Sequence, residues 1–440
     1  MAEAQTAKPA GTVAAGVVSA APAAADSKGY RAWVLFILFL VYTFNFIDRQ
    51  IIGILQVPIK AELGLTDTQM GLMGGLAFAL FYTGLGIPIA MLADRFNRTW
   101  IVGASLAVWS GFTALCGTAH GFWQLFLFRM GVGVGEAGGV APSYSLISDY
   151  FPPQERSRAL AVFSFGIPVG SALGILFGGL VAAHIDWRVA FFACGIAGLV
   201  LAPVLLLTVR EPARGRFDPP TAKAPPPPLG LVVRTLATKP SFWLIALGAS
   251  ASSIMGYGMF FWLPPFFVRS HGMALSELAW FYSAIVFFGG LLGVFMGGVL
   301  GDKLGRTNKA NYARVPGVAF LLGIPFAVLG LLTDNWIVLF IMFLVPSALG
   351  LVWLGPVLSS IQHMVPTSMR ATASAVFLFI NNLIGIGVGT PLLGWISETL
   401  RPIYAEDSLR YSILYGLGFY VVASVLMFLA ARTLDRDWHK

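Results

Sequence analysis

Twelve apolar runs, each about 20 residues or longer, follow one another along the chain, separated by short polar stretches. Each is long enough to cross a hydrocarbon core about 30 Å thick as a helix, and none shows the period-two alternation of a barrel strand. The expected spans are 32–57, 68–93, 100–119, 123–150, 158–183 and 188–209, then 240–268, 277–301, 312–332, 336–362, 370–397 and 410–431. The even count places both ends on one side. Residues 1–29 are rich in Ala, Pro and Gly and read as a disordered tail. Their Ala run is too weakly apolar for a convincing signal-peptide core. Between the sixth and seventh runs, 210–239 carries Pro219, Pro220, the run Pro225 to Pro228 and six basic residues, the composition of an extended linker.

Composition agrees with this pattern. The chain is 57% hydrophobic and 11% charged, against about 25% charged in soluble domains. The net charge of +8 is assigned by its distribution to topology rather than to nucleic acid. Of the 28 Lys and Arg, 21 fall in the termini and even-numbered loops and 5 in the odd-numbered loops. The first set marks the cytoplasmic side of a cell membrane, inner or plasma, with both termini there. Cys116 and Cys194 lie in apolar runs without metal or redox spacing, and no metal or organic cofactor is expected.

The exceptions to apolarity fall in two runs. Asp48 and Arg49, with Asn45 one turn earlier, lie in the first; Arg129 and Glu136 lie in the fourth. Seven positions is close to two helical turns, so Arg129 and Glu136 share a face, about 10 Å apart along the axis. Each charge at mid-membrane costs about 2.5–3.5 kcal/mol on insertion scales, and such charges face one another or a water-filled cavity. Two acids and two bases balance. Because the first and fourth spans run in opposite directions, Asp48 falls at a depth between Arg129 and Glu136. A structural ion-pair network and a transport site are both compatible with this set.

The halves of the chain repeat. "ADRFNR" ends the second run and "GDKLGR" the eighth, aligning Asp94, Arg95 and Arg98 with Asp302, Lys303 and Arg306, 208 residues apart. Pro152 and Arg156 align with Pro366 and Arg370, and "AVFSF" at 161–165 with "AVFLF" at 375–379, all 214 apart. Repeats of six spans with a site between them are a recurrent transporter plan.

These residues resemble the major facilitator superfamily. Gly298 to Arg306 matches its cytoplasmic loop signature at every fixed position, while the first copy has Ala90 and Asn97 in place of Gly. "NFIDR" at 45–49, "DRFNR" at 94–98, "GVGVGEA" at 131–137, "RSRAL" followed by "FGIPVGSALG", and "REPARG" at 210–215 are similar to the spinster-type branch, which includes lysosomal and sphingolipid or lysolipid carriers; Thr99 departs from the basic residue expected there. The resemblance implies an all-α membrane protein of twelve helices in two six-helix bundles. The bundles are expected at 30–209 and 240–432, with a short tail at 433–440.

The same resemblance implies a site between the bundles, lined by spans one, four, seven and ten. Asp48, Arg49, Asn45, Arg129 and Glu136 form its charged wall. Tyr257, Phe260, Phe261, Trp262 and Trp353, with Asn381 and Asn382 nearby, form the facing one. Arg129 would hold an anion, since a guanidinium stays charged and grips a carboxylate or phosphate with two bonds. Glu136, among Gly131, Gly133, Gly135 and Gly138 with little polar material around it, would carry the coupling proton. A cytoplasmic gate is implied too. Asp94 and Asp302 would meet opposing helix starts, and Arg95, Arg98, Lys303 and Arg306 would find acids such as Asp149 and Glu155. Without these contacts, the loop charges would serve only topology.

Gly133, Gly135 and Gly138 also spell G-x-G-x-x-G, but no soluble strand precedes them, so helix packing explains them better than a dinucleotide. Gly166, Gly170, Gly174 and Gly178, spaced by four, read the same way. A glycine-rich fifth span is typical of antiporters in the superfamily, which expect Pro where Ile175 stands. The expected function is secondary transport of an amphipathic lipid-like or organic anion by alternating access, proton-coupled, in a monomer whose partners are the bilayer and its solute. A drug/proton antiporter, a small organic acid transporter and a non-transporting sensor are the alternatives. No paired nucleophile and base supports an enzyme.

Overall fold

The computed structural model describes residues 26–217, 228–305 and 307–439. Most of the expected tail, the middle of the linker and Arg306 lie outside the described residues. Among the described residues every regular element is a helix. Six spans form the first half: Lys28–Leu63, Asp67–Gly74 with Leu76–Arg95, Arg98–Cys116, Phe122–Glu136 with Val140–Tyr150, Pro153–Ser164 with Gly166–His184, and Trp187–Thr208. Six form the second: Pro240–His271, Leu275–Gly305, Asn311–Leu332, Trp336–Leu349 with Leu354–His363, Arg370–Tyr404, and Ser408–Gly416 with Gly418–Asp437. They are spans 1 to 12 below, and the chain is a multi-pass membrane protein.

The repeat reaches the helix ends. Span 1 stops at Gly64 and span 7 at Gly272, 208 residues on, both at φ 62°. A left-handed residue after the last helical turn favours glycine, because a Cβ would be strained there. Five residues later Gln69 Oε1 accepts from the Thr66 N–H at 3.0 Å, and Glu277 Oε2 accepts from the Ala274 N–H at 3.2 Å. The start of the next helix is thereby capped alike in both halves.

Spans 4 and 10 are each interrupted midway. After Glu136, i→i+3 bonds from Gly138 to Gly135 and from Gly139 to Glu136 make a tight turn; after Leu349, Leu351 bonds to Ala348 and Val352 to Leu349. The glycine-rich run around Glu136 has low helix propensity, which places the interruption there rather than allowing one continuous helix over 123–150.

Glycines set the spacing of the helices. On span 5 a Cβ at Gly174 would lie 2.8 Å from the Ile47 carbonyl oxygen of span 1, and Gly166, Gly170 and Gly178 press on Tyr42, Thr43 and Ile54 of that helix. Gly133 meets the Phe78 carbonyl of span 2, Gly135 the Trp109 backbone of span 3 and Gly138 the Ser105 hydroxyl. All three positions of the G-x-G-x-x-G string are occupied by packing. Between the halves, span 2 packs on span 11 and span 5 on span 8.

The first and last described residues and the described flanks of the linker share one face. Asp26 pairs with Arg216 at 2.6 Å, Tyr30 donates to the Thr208 carbonyl, and Asp437 caps the Ser241 N–H at 2.9 Å. At the opposite face the bundles are bound through Gly71, Gly75, Thr390 and the side chain of Asp67.

Two segments differ from the sequence reading. The expected extended linker ends in a helix, Leu229–Ala237, whose Val232 and Leu236 are buried. Their spacing of four gives one apolar face to bury. The expected tail from 433 is helical to Asp437, and Trp438 stacks on Tyr312 at 5.6 Å; the Asp437 cap and this ring contact hold it to the second half.

The tight seam between spans 1 and 5 yields a test. Gly174→Val is expected to lower stability by about 1–3 kcal/mol, because backbone cannot yield as a flexible side chain would. A reduced melting temperature of the purified protein in detergent would show it, and an unchanged one would contradict the close approach.

Candidate transport site

The four intramembrane charges assemble within the first bundle. Arg49 Nε binds Glu136 Oε2 at 2.7 Å, with the Glu136 side chain fully buried and that of Arg49 15% exposed. The guanidinium is also enclosed by rings: its carbon lies 4.4 Å from the Tyr82 centroid, 4.9 Å from Phe78 and 5.1 Å from Phe46. Cation–π attraction of this kind gains strength when water is excluded. Glu136 ends its helix at the turn of span 4, which delivers the carboxylate toward span 1.

Arg129, expected to hold the anion, donates from an Nη to the main-chain oxygen of Asp48 at 3.2 Å. Among the described residues its Nε has no hydrogen-bond partner, nor do Glu136 Oε1, Asp48 Oδ1 and both side-chain polar atoms of Asn45. Trp109 and Thr113 turn their side-chain donors toward the Asp48 carboxylate. Buried polar atoms are nearly always satisfied. A buried cluster with this much unused capacity differs from a closed structural network, in which each member is matched.

A cavity between the bundles borders this cluster, enclosing about 70 Å³ of space that water can occupy. Phe46, Arg49, Gln50, Phe78 and Arg129 line it from the first bundle; Tyr257, Phe260, Phe261, Ile386 and Thr390 line it from the second. It has room for a few waters, whereas sites for drug-sized ligands are about 300–1,000 Å³, so the bundles must part to admit such a solute. Tyr257 lies 208 residues after Arg49, so the two occupy the same repeat position on opposite walls.

The structure does not bring every expected residue here. Trp353 is 6% exposed and packs edge-on against Phe377 in the core of the second bundle. Its place in the turn of span 10 directs it to span 11. Trp262 is fully buried, donating to the Thr390 carbonyl at 2.8 Å. Asn381 accepts from Ser253 at 2.9 Å. Phe78 and Tyr82, which complete the ring enclosure of Arg49, escaped the sequence reading, because aromatic residues on an apolar helix carry no local signal of function.

At the face of the chain ends, the expected gate residues are sorted by the structure. Arg98 is buried within the first bundle, where it binds Asp149, Glu211 Oε1 at 2.7 Å and Ser145 at 2.8 Å. Glu155 pairs with Arg31 at 3.0 Å, also within that bundle. Asp94, Arg95 and Lys303 are exposed. The side chain of Asp302 and all of Arg306 lie outside the described residues. The "REPARG" segment has a clear role: Arg214 donates to the carbonyls of Ala93, Asp94 and Phe96 at 2.6–2.8 Å. A cation there matches the negative end of the span 2 helix.

Residues 38–390 match the Major Facilitator Superfamily. A protein spinster homolog 1 from Homo sapiens is 30% identical over 399 residues, covering 85% of this chain and 74% of that protein. The chain belongs to the major facilitator superfamily, in its spinster-type branch. An MFS-type efflux pump of Mycolicibacterium smegmatis is 33% identical over 416 residues, covering 94% of this chain and 96% of the pump. The crystal structure of a bacterial homolog to the human lysosomal transporter spinster, inward-facing and unoccupied, superposes with a TM-score of 0.85 at 33% identity, covering 94% of this chain and 99% of that one. This superfamily member is accordingly a secondary transporter and not an enzyme.

Arg98→Gln should lower stability by about 3 kcal/mol or more, because it leaves Asp149 and Glu211 without their buried counter-ion. Thermal unfolding in detergent reads this loss. Arg98→Lys should recover only part of it, since one ammonium cannot reproduce the fork.

Proposed function

We propose that this transporter moves an amphipathic, lipid-like or organic anion across a cell membrane by alternating access, coupled to protons and working as a monomer. The observation that carries the reading is the Arg49–Glu136 pair at the cavity wall, ringed by Phe46, Phe78 and Tyr82. An anionic head entering the cavity competes with Glu136 for Arg49. Once displaced, Glu136 loses its paired cation, and charge balance in the buried site then calls for a proton on it. Solute binding and protonation are thereby linked through one guanidinium. The second bundle offers Tyr257, Phe260 and Phe261 to the apolar part of the solute.

The face of the chain ends is the cytoplasmic one, by its excess of Lys and Arg. The bundles are bound at the other face, and the superposition on an inward-facing structure supports an inward-facing state here. The exposed Asp94, Arg95 and Lys303 are then available to bring the cytoplasmic ends together in the alternate state. An outward drug/proton antiporter is a second reading, favoured by the likeness to an efflux pump along nearly the whole chain.

Purified protein in sealed liposomes, offered labelled lysolipids, sphingoid bases, drugs or organic acids under an imposed pH gradient, tests both readings. Gradient-driven accumulation of an anionic lysolipid or organic anion supports the first, and accumulation of cationic drugs alone supports the second. Binding without movement of any solute would mark a sensor.

Glu136→Gln should keep ligand binding and counterflow exchange but lose accumulation driven by a pH difference. Persisting accumulation would place the proton elsewhere, with Asp48 the next candidate. Arg49→Lys is expected to reduce uptake at low solute about tenfold or more, since an ammonium lacks the planar fork and the ring stacking; uptake at the wild-type rate would remove Arg49 from the site.

A further inference from the structure

At the face away from the chain ends, one buried carboxylate joins the two bundles. Asp67 begins span 2 and is 2% exposed. Its Oδ1 binds Lys60, at the end of span 1, and Arg269 at 2.6 Å; its Oδ2 accepts from Arg269 at 2.8 Å and from Ser397 at 2.9 Å. Lys60 belongs to the same bundle as Asp67. Arg269 and Ser397 belong to the other, at the ends of spans 7 and 11. The Asp67–Arg269 contact is thus a two-bond, fork-to-carboxylate pair across the seam, the geometry in which a charged pair is strongest and most directional.

The backbone around the pair is equally close. A Cβ at Gly394 would lie 2.5 Å from the Asp67 carbonyl oxygen, and one at Gly71 would lie 2.5 Å from that of Thr390. Beside it the Thr68 N–H donates to Glu398 Oε2 at 3.1 Å, again between bundles. The Asp67 carboxylate is buried and its two cations are mostly covered, so the charges act with reduced screening.

Stranding a buried charge by removing its partner is strongly unfavourable. Asp67 has two cations, and only one of them sits on the moving side. When the bundles part, Lys60 stays with the carboxylate, while Arg269, near the end of its helix, passes into water. The closed face is therefore held firmly, and its opening leaves no bare anion behind. We propose that Asp67 and Arg269 are the gate that closes this face, with Lys60 the counter-ion that Asp67 keeps when the gate is open.

The gate rests on the alternating-access reading, and cavity labelling separates the two. In a background with Cys116 and Cys194 replaced by Ala, Gln50→Cys places a thiol on the cavity wall. A membrane-impermeant maleimide is applied to oriented vesicles at the gate's face. Asp67→Asn and Arg269→Gln should each raise the labelling rate about fivefold or more, the scale of an ordinary coupling between two states. The double variant should not exceed the larger single, since both remove one contact. Lys60→Gln, which removes the counter-ion that Asp67 keeps in the open state, should bring the rate to or below that of the parent. Asp67→Glu, which keeps the charge, should restore closure and thereby separate gating from misfolding. Labelling unchanged in both single variants, effects that add in the double, or an equal rise in Lys60→Gln would overturn the gate. A parent thiol that reacts from neither face under any solute or pH condition would instead sink alternating access.

Discussion

Charge inside a hydrocarbon zone must be matched where it lies, because neither water nor lipid will compensate it. In this transporter the match is Arg49 with Glu136, and much of the first bundle is arranged to permit it. The interruption of span 4 puts Glu136 at a helix end. Gly133 and Gly135 let spans 2 and 3 close around it, and the rings of spans 1 and 2 cover the guanidinium. The pair is matched but not saturated: among the described residues, Glu136 Oε1 and one Arg49 Nη have no hydrogen-bond partner. Such a pair can exchange partners without rebuilding the bundle around it.

A second constraint is the close packing inside each bundle, set against hydrogen bonding between them that gathers at one face. Span 5 lies on span 1 along a row of four glycines, of which Gly166, Gly170 and Gly174 meet backbone, and Gly195 meets backbone between spans 6 and 3. Contacts this close leave little room for repacking, so each bundle is suited to move as a unit. The described hydrogen bonds between bundles gather instead near one face, around Asp67, Thr68 and Thr390. Localised bonding at one end of a seam is what a rocking motion requires.

The internal repeat is retained where it shapes the backbone and abandoned where it meets the solute. Helix stops at Gly64 and Gly272, the capping side chains Gln69 and Glu277, and the midway turns of spans 4 and 10 all recur. At the site, Tyr257 stands at the repeat position of Arg49, and Phe343 and Gly350 stand at those of Arg129 and Glu136. Duplicate backbones with different side chains give one charged wall and one apolar wall, the pairing suited to a molecule with a polar head and an apolar body.

Read alone, the sequence determined the number of spans, the two-fold repeat, the family and the roster of buried charges. Those properties are local: apolar length, motif spacing and composition each fit within a few tens of residues. Which charge meets which was not legible. Arg129 and Glu136 share a helix face, yet Glu136 turns to Arg49 of another span, because that choice depends on how glycine contacts rotate span 4 against spans 1, 2 and 3. Trp353 illustrates the same limit, since only the turn of span 10 decides that its indole enters a core instead of the cavity. Asp67 carried no sequence signal, being one acid in a short loop. Its importance arises from Arg269, 202 residues away, which tertiary packing alone brings within hydrogen-bonding distance.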